Sequence, residues 1–404
     1  MNLRRILFVA VLAVVFFCCS SQTWAVSEAA ETAGSNSENM ISENMNADEI
    51  SQMLDYGGLD ESLSEVDGYF SEHYSGFDFA DFWQKIKHGD FDFSFQNFFQ
   101  MILDMFFGDV KSCFAIFVQL LVLAVISAML ANFDNSFGNT SASLGQKIVY
   151  VALIAVVLQA FLLCGKSAVQ AINLMSGFLY AIFPIMLTLL AAMGGVSSVG
   201  LYHPLLMFSV TAAMNIINFI ILPLVYCNAG LTIAGSLNKD FDLGKLSGLF
   251  KSVALWSLTL VFTLFSAVVG IIGLGSASMD GLTMKTAKSA VGMFIPVVGR
   301  SVSDLLGTLM GTALVLKNCL GIAGVLVIIA ICLVPAVKTL IMSWIFKLCG
   351  ALAEPLGDKQ LAAAMTGLGN VLTMLFAVVT ACGIFFFFLL AITLAMGNLN
   401  MAIG

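Results

Sequence analysis

From residue 113 onward the chain alternates between long apolar runs and short polar connections. A helix of about 20 apolar residues crosses the hydrocarbon core of a bilayer, so runs of this length predict membrane spans. The predicted spans are 113–131, 148–165, 171–192, 205–226, 252–275, 319–342 and 368–396, with 281–316 and 344–356 as shorter, re-entrant pieces. The predicted fold class is an all-α, multi-pass helical membrane protein with about 7–8 spans plus re-entrant or interfacial helices.

Residues 77–112 carry a different pattern, in which phenylalanines recur at helical spacing opposite polar residues. Phe95, Phe98, Phe99 and Ile102 follow the i, i+3, i+4 rule, and the pattern ends before Gly108. This predicts amphipathic helices lying in the bilayer interface. A helix packed into a groove of a partner protein remains an open alternative, because the polar face is acidic rather than basic.

The first 25 residues have the pattern of a secretory signal peptide. Arg4 and Arg5 precede an apolar stretch, and Thr23-Trp24-Ala25 offers a cleavage site after Ala25; an uncleaved anchor is the alternative. Residues 26–76 are rich in Ser, Glu, Asn and Gly, which predicts an acidic, loosely ordered exported segment. The rest, residues 113–404, is predicted to be a polytopic membrane domain.

Composition supports the membrane assignment. The chain is 59% hydrophobic and 10% charged, with a mean hydropathy of +0.97, which excludes an ordinary soluble domain. The net charge of −8 comes from the acidic segment upstream of residue 110, and nothing in the charge pattern indicates nucleic-acid binding. The cysteines form no CxxC pair and lie in or beside apolar runs, so we predict no disulfide framework, metal site or cofactor.

Residues 276–318 are unusually polar for a segment between two apolar runs. Ionised side chains and broken backbone are costly in hydrocarbon, so we expect this segment to face protein or water. Proline followed by glycine predicts two short helices with a break at 296–299. The candidate polar pathway or interface residues are Asp280, Lys285, Lys288, Pro296, Arg300, Asp304 and Lys317, with Lys338 in the following span.

Each of these residues also has a structural interpretation. Arg300 and Asp304 are four residues apart and can pair on one helix face. Lys285 and Lys288 can mark a cytoplasmic helix end near anionic lipid. Lys338, inside an apolar run, must either line water or extend its ammonium group to the membrane surface.

Other polar and small residues inside the spans predict helix contacts. Asn215 and Asn218 are expected to bond to neighbouring helices, and Gly321 with Gly324 to mark a close approach. The sequence contains no HExxH, GxSxG or Walker-type motif, so an enzyme is not predicted.

The proline positions suggest an internal repeat. Pro184 and Pro223 are separated by the same interval as Pro296 and Pro335. The hypothesis is a pair of units, 144–242 and 243–355, followed by a final span in 356–404; chance coincidence is the alternative. If each unit contains an odd number of crossings, the units are inverted, and matching helix breaks would point to a midplane site.

Several motifs resemble the stage III sporulation protein AE family of endospore-forming bacteria. They are SMDGLTMKTAK at 278–288, GMFIPVVGR at 292–300 and LKN at 316–318, supported by Gly194-Gly195 and Tyr202-His203-Pro204. The likeness covers most of the membrane domain and the overall plan of the chain. It transfers no catalytic or ligand residues.

The resemblance implies a membrane subunit of the channel or secretion-like apparatus that links mother cell and forespore. It further implies a location in the mother-cell membrane around the forespore. The implied partners are an ATPase, other polytopic proteins and ring-forming subunits of the same sporulation stage. A permease-like transporter of a small solute and a non-conducting scaffold for the other membrane components are the alternatives.

Overall fold

The structure, a computed structural model, describes only part of the chain. The described residues are 57–73, 107–108, 110–111, 113–127, 129, 140–193, 196–237, 243–265, 267–268, 299–355 and 359–403. The predicted signal peptide, the interfacial helices before residue 107 and most of the polar segment before residue 299 lie outside them.

All regular elements in these residues are helical. They are α1 (Gly57–His73), α2 (Cys113–Ser127), α3 (Thr140–Ala192), α4 (Val196–Ile216), a π-helical turn (Ile217–Ile221), α5 (Leu222–Leu237), α6 (Gly244–Phe265), α7 (Gly299–Ala353) and α8 (Lys359–Ile403). The predicted all-α, membrane-type fold class is confirmed.

The span count is lower than predicted. In the described part of the chain, 5 helices are long and apolar enough to cross a membrane: Ile148–Ala192, Val199–Ser236, Gly244–Phe265, Gly311–Ala353 and Gln360–Met396. The predicted spans 148–165 and 171–192 are one continuous helix, and residues 344–353 of the predicted piece 344–356 continue the helix that contains 319–342. The expectation of about 7–8 spans is therefore wrong for this part.

Close packing explains why α3 continues through the polar residues that suggested a loop. A Cβ atom built on Gly165 would lie 2.5 Å from the hydroxyl of Tyr226 in α5. Ser167 is buried and Lys166 is exposed, so these two polar residues lie on different faces of the helix. The glycine leaves room for the Tyr226 side chain, and it does not mark a turn.

The π-helical turn accommodates a proline. The Leu222 N–H donates to the carbonyl of Ile217, five positions back, immediately before Pro223. Proline has no N–H for the helical ladder and its ring crowds the preceding turn, so a locally wider helix relieves the conflict. Pro184 and Pro335, in contrast, lie inside α3 and α7 without ending them.

Three long helices form the centre of the molecule. Helix α7 packs along α8, and both pack on α3, while α5 lies against α8 and α4 against α3. Aromatic side chains fill the contacts, including the fully buried Phe161, Phe178, Phe346 and Phe386. Tyr180 of α3 and Thr211 of α4 share a hydrogen bond of 2.9 Å, which fixes these two helices as an antiparallel pair.

Helix α1 lies within residues 26–76, the segment predicted to be loosely ordered. Its buried residues Leu59, Leu63 and Val66 follow helical spacing, and it packs against α3. The acidic residues of this segment lie among the apolar ones in sequence, which conceals the apolar stripe.

Candidate functional site

Helices α7 and α8 carry four of the nine buried polar or charged residues in the described part of the chain: Lys317, Thr339, Ser343 and Thr393. The two helices run antiparallel, and bonds between them occur along much of their length. Near one end Lys317 bonds to α8, and near the other end Lys347 does so. Between them the Cys332 thiol donates to the carbonyl of Val379 at 3.6 Å.

Glycines bring these helices close together. A Cβ atom on Gly350 would lie 2.5 Å from Thr366 Oγ1, and one on Gly369 would lie 2.8 Å from Lys347 Cγ. Gly321 and Gly324 make the same kind of approach, with Leu394 Cδ1 at 2.5 Å and Ile182 Cδ1 at 2.7 Å from the added atom. The predicted close contacts at Gly321 and Gly324 are therefore confirmed.

Lys317 is the sequence-predicted candidate that the structure places deepest. Its side chain is 0% exposed, and its Nζ donates to the backbone carbonyl of Leu394 in α8 at 2.8 Å. A buried ammonium group bonded to a carbonyl dipole has lost its water without gaining a full counter-charge. Its neighbour Asn318 has a buried side-chain oxygen with no hydrogen-bond partner in the described structure. This end of the interface is therefore polar and incompletely satisfied.

The other end of the interface holds a small hydrogen-bond network that sequence reasoning missed. Ser343 Oγ donates to the carbonyl of Gly369 at 2.7 Å and lies 2.8 Å from Thr373 Oγ1. Lys347 Nζ donates to Thr373 Oγ1 at 2.7 Å. Thr339, Ser343 and Lys347 recur every four residues along α7, and this polar stripe was the available signal.

The remaining predicted residues do not join this interface in the described part of the chain. Lys338 is half-buried on α7 and takes no part in the α7–α8 hydrogen bonds. Arg300 and Asp304 belong to the first turns of α7, with side chains outside the description. Asp280, Lys285, Lys288 and Pro296 lie outside the described residues.

The break predicted at 296–299 coincides with the start of α7 at Gly299. From that residue to 316, the described half of the predicted polar segment is the beginning of a 55-residue helix, so it is not a separate short helix. No group of three or more His, Cys, Asp or Glu residues in the described structure is arranged to hold a metal ion.

A comparison with protein-family models identifies the family of this chain. The model of the family "Stage III sporulation protein AE" matches residues 77–397, which include the whole of α2 to α7 and most of α8. The chain belongs to the stage III sporulation protein AE family. The resemblance seen in the sequence is thus confirmed. The family is one of sporulation membrane proteins and not a known enzyme family.

A curated relative supports the same family. Stage III sporulation protein AE of Bacillus subtilis (strain 168) is 31% identical over 315 residues, covering 78% of this chain and 79% of that protein. No solved structure matches the chain.

Proposed function

We propose that this chain is a membrane subunit of the channel or secretion-like apparatus linking mother cell and forespore during endospore formation. Membership of the stage III sporulation protein AE family carries the proposal, because the matched residues include all the candidate spans. The proposed location is the mother-cell membrane around the forespore. The proposed partners are an ATPase, other polytopic proteins and ring-forming subunits of the same stage.

The α7–α8 interface favours a structural role for this chain in that apparatus. A conduit through the chain requires its charges to border a polar cavity, whereas a scaffold requires only that they be bonded. Lys317 and Lys347 are both bonded across the interface. The chain accordingly supplies a stiff helical pair to which other membrane subunits attach, and any passage is formed jointly with those subunits.

Lys317→Met tests whether the buried ammonium group matters beyond packing. Lys317 is a buried cation without a full counter-charge. Its replacement with Met is therefore expected to leave the free energy of unfolding within about 1 kcal/mol of wild type, or to raise it. Late forespore gene expression is nevertheless expected to fall at least about fivefold, since an energetically costly cation is kept for function. Normal expression at normal membrane level would assign Lys317 no role in the apparatus.

Substitutions of four further cations distinguish a conduit from a scaffold. Lys285, Lys288, Arg300 and Lys338 are each replaced with Gln, and solute passage is measured together with late forespore gene expression. Loss of passage with a normal level of the assembled complex supports a conduit, whereas loss of assembly supports a scaffold. Arg300→Gln is partly restored by also changing Asp304 if the two residues form only a structural pair.

The proposed exported N-terminus has its own test. N-terminal sequencing of the membrane-extracted protein is expected to begin after Ala25, and residues 26–110 to be degraded by protease added from outside. A mature chain that still begins at Met1 contradicts cleavage.

A further inference from the structure

A cavity of 550 Å³ lies between α5, α6 and α8. Its wall combines glycines and apolar side chains with a set of polar ones: Asn228 and Thr232 come from α5, Ser247 and Lys251 from α6, and Asn370 from α8. A cavity of this volume holds many water molecules or the headgroup of a phospholipid. No residue of α7 lines it, so it is separate from the α7–α8 interface.

Asn228 supplies a donor that the protein itself does not satisfy well. The residue is 2% exposed, and its side-chain oxygen accepts a hydrogen bond of 2.5 Å from Ser247. Its Nδ2 lies 4.0 Å from the sulfur of Met374, which is a weak acceptor. An amide nitrogen carries a pair of N–H donors, so donor capacity at the cavity wall remains available to a ligand.

The cavity lies at the end of the helix bundle where α5 is connected to α6. Gln360 in the first turn of α8 and Tyr150 in α3 both donate to the carbonyl of Ser236 in the last turn of α5. These bonds place the N-termini of α3 and α8, the C-terminus of α5 and the start of α6 at the same end. Lys245 and Lys251 of α6 lie here.

The backbone adds to the positive charge that Lys251 brings to the cavity wall. Leu243 and Gly244, at the N-terminus of α6, form part of the cavity wall, and a helix N-terminus carries partial positive charge and N–H groups that favour anions. Lys251 takes part in a polar interaction of its own, and its ammonium group has several N–H donors, so it can serve a ligand as well. Glu354, just past α7, is exposed and does not line the cavity.

We propose that this cavity binds the phosphate-bearing headgroup of an anionic phospholipid. Lys251, Asn228 and the α6 N-terminus would receive the phosphate, and the acyl chains would lie along the apolar outer face of α6. That face is open: Leu249 is 54% exposed and Trp256 is 78% exposed. Basic pockets between membrane helices are known to take such headgroups. The inference does not depend on the proposed function.

Glycine positions offer matched variants. Gly248 lines the cavity, and a Cβ atom there meets nothing within 4 Å, so Gly248→Leu fills the cavity without a clash. Gly230 of α5 is equally open but does not line it, which makes Gly230→Leu the control. Lys245 is exposed on the same helix as Lys251 without lining the cavity, so Lys245→Gln controls for Lys251→Gln.

The test is native mass spectrometry of the full-length protein in detergent, titrated with phosphatidylglycerol, phosphatidylcholine or glycerol 3-phosphate. We expect phosphatidylglycerol to bind about tenfold more tightly than phosphatidylcholine. One lysine near the membrane surface is worth about fivefold in affinity, so Lys251→Gln should weaken phosphatidylglycerol binding by that factor. Gly248→Leu should abolish the tight site, and both controls should bind as wild type does.

Each alternative result overturns the assignment. Equal affinity for the two lipids, or wild-type binding of phosphatidylglycerol by both Lys251→Gln and Gly248→Leu, would show that the cavity does not select an anionic headgroup. If glycerol 3-phosphate binds as tightly as phosphatidylglycerol and displaces it, the site takes a soluble phosphate and not a lipid. If the cavity holds only water, no probe will show saturable binding, and this result would also overturn the assignment.

Discussion

Glycine has opposite consequences in the α7–α8 interface and in the cavity between α5, α6 and α8. At Gly350 and Gly369 an added Cβ atom would lie within 2.8 Å of an atom on the other helix, whereas at Gly248 it would meet nothing within 4 Å. In the interface, glycine lets backbones approach closely enough for side chains to bond across. At Gly248, the missing side chain leaves open volume, whereas Gly367 on the same cavity packs against Thr232.

Polar groups differ between the same two regions. Ser343 and Thr373 bond each other and the carbonyl of Gly369, so both hydroxyl groups are satisfied within the interface. Asn228 at the cavity has a strong partner for its oxygen and only a thioether for its nitrogen. A polar residue in a membrane helix therefore does not by itself indicate a binding site. A buried polar group that lacks a strong hydrogen-bond partner in the protein does indicate one.

The largest expected effect is that of Gly350→Leu. Its side chain would overlap Thr366 and nearby backbone, and overpacking of this kind lowers the free energy of unfolding by about 3 kcal/mol. Thermal unfolding in detergent measures the loss, and Gly230→Leu is the control. Unfolding midpoints that agree for the two variants would mean that α7 and α8 are not in close contact at this position.

A smaller effect is expected for Ser343→Ala, which removes the hydroxyl that bonds Gly369 and Thr373. Side-chain hydrogen bonds between membrane helices are worth about 0.6 kcal/mol on average, so we expect a loss of about 1 kcal/mol at this doubly bonded residue. Ser252→Ala is the comparison, because its hydroxyl bonds only to its own helix, at the carbonyl of Gly248. Equal stability of the two variants would mean that the hydrogen bonds of Ser343 do not stabilise the α7–α8 interface.

The smallest effect, with the opposite sign, is expected for Gly248→Leu. Replacing a glycine inside a helix gains about 0.5 kcal/mol of helix propensity when the new side chain meets no obstacle. The unfolding midpoint should thus rise slightly or stay unchanged. A loss comparable with that of Gly350→Leu would show that the cavity is closed in the folded protein.

Residue pattern alone was sufficient for the helical membrane fold and for the close contacts at Gly321 and Gly324. It failed where the reason for a residue type is a contact with a helix that is distant in sequence. The break predicted between 148–165 and 171–192 is absent, and Gly165 instead makes room for Tyr226, which is remote in sequence. The same limit applies to prolines: Pro335 lies within α7 without ending it, and among the described prolines only Pro223 is preceded by a π-helical turn.

Amide side chains show this limit most clearly. Asn215 and Asn218 were expected to bond to neighbouring helices, but Asn215 is exposed, and the interhelical bond belongs to Asn228. All three lie in the same apolar stretch of sequence, and only the angle about the helix axis distinguishes them. The π-helical turn between Asn215 and Asn228 changes that angle, so simple helical periodicity assigns the wrong face.

The most direct measurement of the contrast between the two regions is the rate at which a membrane-impermeant thiol reagent modifies Ser247→Cys and Ser343→Cys. Each is made in a full-length variant whose native cysteines are replaced by alanine, and that variant alone gives the baseline. Ser247 lines the cavity, while Ser343 is 0% exposed between α7 and α8. We predict rapid modification at position 247 and a baseline rate at position 343; equal rates at the two positions would contradict a closed interface beside an open cavity.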